Sequence, residues 1–138
     1  MAEDSVLIMY ATDFVEIILD KGIDALSVRW LRPVVSQEYR FGIEETGRIL
    51  LAHNLKKLLV NNQRMGVLTM DDQAWLAKIS IEVISRSELQ RLAIVSSTNM
   101  LQQLTNEVLD DKVKKATPYF ETQYFLTDEE AKEWLQTP

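Results

Sequence analysis

Cysteine is absent from this chain of 138 residues. A disulfide framework, a thiolate metal site and a cysteine nucleophile are therefore all excluded. Histidine occurs once, as His53, so any metal site would have to be built from carboxylates. Glycine is scarce, with 4 residues, and none forms the glycine-rich cradle that holds a phosphate after a strand. Basic charge is also in deficit: 15 Lys and Arg stand against 21 Asp and Glu, for a net charge of −6 and a pI near 4.8. Nucleic-acid binding needs a positive footprint, and Lys112, Lys114 and Lys115 run into acid-rich sequence instead. The same acidity disfavours an anionic membrane surface. No apolar run approaches the roughly 20 residues of a spanning helix. The start, Met1-Ala2-Glu3-Asp4, is acidic where a signal peptide is basic. The expectation is a cytoplasmic protein with no integral membrane segment.

What is present is a globular composition, 46% apolar, in a length that suits one domain, residues 1–138, with no linker, repeat or low-complexity tract. The most telling stretch is Lys56-Lys57-Leu58-Leu59-Val60-Asn61-Asn62: charge, a short apolar run, then a polar stop. It has an echo at Arg91-Leu92-Ala93-Ile94-Val95-Ser96-Ser97, with helical periodicity between the two. That is the pattern of two parallel strands joined by a crossover helix.

Upstream, Ser5 to Tyr10 and Phe14 to Leu19 are β-prone, Lys21 to Asp24 is a turn, and Ala25 to Leu31 alternates with Leu26, Val28 and Trp30 on one face. The second and third runs suit a hairpin, with the first as an edge strand that could also pair with a second subunit in a homodimer. After Pro33, Ser36 is positioned to cap a helix that carries Tyr39, Ile43, Thr46, Ile49 and Leu50 and ends at His53-Asn54. Gly42 and Gly47 either weaken that helix or permit close packing. Thr69, followed by Asp71 and Asp72, opens the crossover helix, whose buried face is Trp75, Leu76, Ile79 and Val83. Ser96 to Asn99 can open a third helix, with Leu101, Leu104, Val108 and Leu109 inward. Tyr119 to Phe125 reads as a final strand. Thr127-Asp128-Glu129-Glu130 is a capping box before a short helix docked by Ala131, Trp134 and Leu135. The order is βββαβαβαβα: an α/β domain with a mixed sheet, parallel in its later strands, and helices mainly on one face.

Several of these segments, in this order, resemble the SpoIIAA-like group of the STAS superfamily, the fold of anti-sigma factor antagonists. They are Trp30, Glu38-Tyr39, His53 to Val60, Asp72-Gln73-Ala74-Trp75-Leu76, Leu92 to Val95, Tyr124-Phe125 and Glu129 to Leu135. The resemblance spans roughly Phe14 to Leu135. It implies a βα superhelix in a bacterial signalling protein that binds a partner and performs no catalysis. Well-known members are switched by phosphorylation of a Ser or Thr in the loop after the strand matching Lys57–Val60, usually behind an Asp. Here Asn61 holds the Asp position, and Asn62, Gln63, Arg64, Met65 and Gly66 carry no hydroxyl. The resemblance thus implies a binding module without the orthodox switch. Other members bind nucleotides, anions or lipids.

The residues themselves point to the loops that end the parallel strands, where α/β proteins bind ligands. Ser96, Ser97 and Thr98 at a helix start offer N–H groups to an anion or partner, and also suit plain capping. Asn61, Asn62, Gln63 and Arg64 lie in the neighbouring loop, where Arg64 can clamp an anion. Thr69 completes the rim. Three functions are carried forward: a binding module for a protein partner or small anion at this rim; a carrier of a lipid or other hydrophobic ligand, in a cavity lined by residues such as Trp75 and Phe125; and a Ser-dependent enzyme, for which His53 is the sole imidazole base. No cofactor or metal is expected. Asp71-Asp72 and Asp110-Asp111 do not chelate naturally, because adjacent helical residues diverge by about 100°.

Overall fold

A computed structural model of the protein describes residues 5–97 and 120–138. Their elements are β1 (Val6–Ala11), β2 (Val15–Asp20), β3 (Ala25–Trp30), α1 (Ser36–Ala52), β4 (Lys57–Asn61), α2 (Met70–Arg86), β5 (Arg91–Val95), β6 (Glu121–Phe125) and α3 (Asp128–Leu135). The expected helix through Leu101 and Val108, with Thr98 and Asp110-Asp111, lies outside the described residues.

The six strands form one sheet in sequence order, with β1, β2 and β3 antiparallel and β3, β4, β5 and β6 parallel. The antiparallel part is local. Thr12 Oγ1 accepts from the N–H groups of Phe14 and Val15 and tightens the β1–β2 turn. Asp24, at φ 55°, supplies the left-handed residue that turns β2 into β3. The parallel part depends on crossovers, two of which run through the described helices α1 and α2.

The pleat divides the core. Leu26, Val28 and Trp30 of β3 and Leu58 of β4 face α1 and α2. Ala25, Leu59, Ala93 and Val95 face the opposite side, where Ala131 and Leu135 of α3 cover them. Two of the three described helices thus share one face, in line with the expected arrangement, and α3 seals the other.

Helix α1 departs from expectation at its start. Val35, not Ser36, is the N-cap, and the Glu38 carboxylate reaches back to its N–H at 3.1 Å. Arg32 holds that carboxylate from outside through two bonds of 3.0 and 2.7 Å. The hydrogen bond from Arg32, then that from Val35, keeps Glu38 below the usual carboxylate range. Ser36 is used elsewhere: its hydroxyl donates to Asp72. The two glycines of α1 serve close packing. A Cβ on Gly42 would lie 2.6 Å from Trp30 Cη2, and one on Gly47 would lie 3.3 Å from a Val83 methyl.

Candidate functional site

Of the expected rim, the structure brings together the ends of β4 and β5, while Thr98 lies outside the described residues. Strands β4 and β5 are neighbours, and the Asn62 N–H donates to Val95 O at 2.8 Å, so the two strand-end loops lie side by side. Most of the rim's polar groups are already engaged. Asn61 is buried, and its Nδ2 donates to Asp128 Oδ1 at 3.0 Å and to Gln63 Oε1 at 3.3 Å. Its Oδ1 accepts from the Gln63 N–H, and Gln63 Nε2 donates to Leu126 O. Asp128 also pairs with Arg29. One carboxylate, Asp128, therefore ties β3, the end of β4 and the start of α3 together. Ser96 is buried, with its N–H on Phe125 O at 3.0 Å, and neither Asn62, Ser96 nor Ser97 lacks a partner. Thr69 caps α2 by accepting from the Asp72 N–H. Arg64 is exposed.

Asp72 is placed by the sequence at the start of α2, but its burial and its distant partners are not legible there. It reads as an acid at the positive end of a helix dipole, yet it is buried and accepts from Ser36 and, at 3.0 Å, from Arg40 Nε. Burial opposes its ionisation, but the bonds from Ser36, Arg40 and Thr69 outweigh that and hold its pKa below the usual carboxylate range. Arg40 in turn lies over the Trp75 ring at 5.1 Å. Burial, reinforced by the Asp72 charge, raises the pKa of Tyr39. The cluster pins α1 to α2 near their N-termini. His53 is the C-cap of α1, its N–H on Ile49 O at 3.1 Å. Among the described residues no group of three metal-ligating side chains occurs.

Behind the rim, between the sheet and the helices α1 and α2, lies a cavity of about 160 Å³ that is not fully enclosed. Val28 and Trp30 of β3, Leu58 and Val60 of β4, Leu92 and Ile94 of β5, and Thr122 and Tyr124 of β6 form its floor. Tyr39, Ile43, Thr46, Gly47 and Leu50 of α1 and Leu76, Ile79, Ser80, Val83 and Ile84 of α2 form its roof. Asn62 is the one described rim candidate that also lines it. Among the described residues, two buried side-chain polar atoms find no hydrogen-bond partner, Trp30 Nε1 and Thr122 Oγ1, and both belong to lining residues.

The lining differs from the expected one. Phe125 is on the opposite face of the sheet, against Trp134 at 5.8 Å, because the pleat alternates along β6. Trp75 packs edge-on to Tyr39 and under Arg40, outside the cavity wall. No strand taken singly encodes a void. It arises where residues that each read as core fail to meet.

Comparison with solved structures places this architecture. Over 94% of this chain and 91% of the other, it matches an uncharacterised DUF3478-family protein with a SpoIIAA-like fold from Shewanella loihica PV-4, at a TM-score of 0.55 and 18% identity. The fold is SpoIIAA-like. At that identity the match speaks for architecture alone. No family model matches the chain, and neither does any curated protein. In this SpoIIAA-like domain the last residue of β4 carries an amide bonded inward, and no helix among the described residues is long and apolar enough to cross a membrane.

Proposed function

We propose that the protein is a non-catalytic binding module that takes a small apolar ligand in the cavity between the sheet and the α1–α2 pair. The observation that carries this reading is the cavity itself: about 160 Å³ of space, lined mainly by aliphatic and aromatic side chains, in the middle of the larger core cluster. Well-packed interiors keep few voids larger than a water molecule. An engineered apolar cavity of about 150 Å³ stays dry and takes up benzene, so this one is large enough for a small organic molecule. The inward engagement of Asn61, Gln63 and Thr69 supports an interior ligand over one held by those side chains at the rim.

Native mass spectrometry of gently purified protein, followed by thermal denaturation with added apolar probes, tests the reading. Bound mass or a concentration-dependent rise in Tm is expected, since a ligand at a hundred times its Kd stabilises by about 2.7 kcal/mol. Val60→Phe fills the floor of the cavity and should abolish the rise, with Ile79→Phe on the roof as an independent variant. A clean apo mass together with an unmoved Tm for every probe would overturn it.

A further inference from the structure

We infer that the ligand is a neutral, unbranched chain bearing a single hydroxyl or carbonyl head, seated at Thr122; this rests on the cavity reading above.

Shape supports the chain. The floor runs from Trp30 and Val28 on β3 to Thr122 and Tyr124 on β6. Three interstrand steps of about 4.8 Å make that span roughly 14 Å. A volume of about 160 Å³ spread over such a length is a narrow slot rather than a round chamber. A slot suits an extended chain better than a fused ring.

Charge supports neutrality. Among the described residues, no Lys, Arg, His, Asp or Glu lines the cavity. An ionised head would lose water with no counter-charge from the described lining, the costliest kind of burial.

Thr122 supports the position of the head. The register sets Leu26, Leu58, Leu92 and Thr122 in one row across the sheet, so a hydroxyl ends a row of leucines. Thr122 is buried, its Oγ1 has no partner among the described residues, and a turn about its Cα–Cβ bond would bring that enclosed hydroxyl to the cavity. A threonine hydroxyl both donates and accepts, so it can serve an alcohol or a carbonyl. Trp30 Nε1, at the β3 end, only donates.

Octane, octanol and octanoate, titrated into the full chain and followed by tryptophan emission and Tm, test this. Octanol should bind more tightly than either relative. Thr122→Val should weaken octanol about five- to tenfold, the worth of one buried hydrogen bond, and leave octane unchanged. Thr122→Ser should restore octanol. The valine variant is expected to fold, because it removes an unpaired buried hydroxyl. Trp30→Phe should change octanol affinity less than twofold. If octanol and octane bind alike to the wild type and to Thr122→Val, the head assignment is overturned while the cavity reading stands. Tighter binding of octanoate refutes the neutral head, and an effect confined to Trp30→Phe places the head at the wrong end. Failure of all three to bind while benzene still raises Tm would overturn the chain and keep the cavity reading, and failure of benzene as well would remove both.

Discussion

Replacing either glycine of α1 by alanine should change stability in opposite directions. Both lie inside a 17-residue helix, and neither has a positive φ. Alanine is favoured over glycine there by about 0.8–1.0 kcal/mol. Packing decides the sign. At Gly42 the new methyl would lie 2.6 Å from Trp30 Cη2, closer than real contacts come, and 3.0 Å from Cζ3. The indole must move by about an ångström. It is only 1% exposed and is stacked on Tyr39 at 5.2 Å, which is itself edge-on to Trp75. Overpacking of such a site costs about 1–3 kcal/mol, so Gly42→Ala should destabilise by about 1 kcal/mol net, or roughly 4 °C in Tm. At Gly47 the methyl would meet Val83 Cγ2 at 3.3 Å and Cγ1 at 3.5 Å. A shift of a few tenths of an ångström relieves that contact, and Val83 is half-buried on α2. Gly47→Ala should therefore stabilise by about 0.5 kcal/mol. Urea denaturation followed by far-UV circular dichroism gives both midpoints, and Trp30 emission should shift in the first variant. Equal midpoints, or a Gly42→Ala protein at least as stable as the wild type, would refute the claim that the glycine exists to admit the indole.

Three further outcomes follow from the polar contacts. Asp72→Asn should cost about 1–2 kcal/mol near neutral pH, by weakening the bonds from Ser36 and Arg40. Because the folded-state pKa of Asp72 lies below its ordinary 3.8, the carboxylate's contribution is complete above that value and is lost as pH falls through the folded pKa. The difference between wild type and variant, read from urea midpoints, should thus be flat from pH 6 to 8 and narrow only below about pH 4; narrowing on the alkaline side would contradict the assignment. Thr127→Ala removes the acceptor for the Glu130 N–H and should cost about 1 kcal/mol, whereas Thr127→Ser should lie within a few tenths of wild type in the same assay. Asn61→Asp sets a second carboxylate about 3 Å from Asp128 and should destabilise by about 1–3 kcal/mol at pH 7. Thermal scans at falling pH should recover part of that loss as the pair takes up a proton.

The elements that could be read from sequence are those whose signal is local. Leu26, Val28 and Trp30 alternate and form one face of β3, as their spacing requires. Lys57 to Val60 and Leu92 to Val95 are short apolar runs between turn signals, and they are parallel neighbours. Thr69 and Thr127 stand three residues before acids, and both cap their helices. Where the reading fell short, a distant residue had intervened. Ser36 has the chemistry of a cap, but it bonds Asp72, 36 positions away, and Glu38 performs the capping from inside the helix. Phe125 and Trp75 are large aromatics of the kind that line ligand cavities, yet the pleat of β6 and the contact with Tyr39 direct them elsewhere.

The polar residues of the rim and of the interior are treated in opposite ways. At the rim, Asn61, Gln63 and Thr69 each have partners within the fold, and Asp128 accepts from two of the elements it joins. In the interior, Thr122 and Trp30 carry polar atoms that find none among the described residues. Buried polar groups are nearly always paired, because desolvation without a hydrogen bond costs about 1–3 kcal/mol. A valine in place of Thr122 would avoid that cost and keep the β-branched shape. Among the described residues the fold thus pairs the amides of its rim and leaves a buried hydroxyl without a partner on a residue that lines the cavity, and that contrast favours the space beneath the strand-end loops over the loops themselves as the proposed binding site.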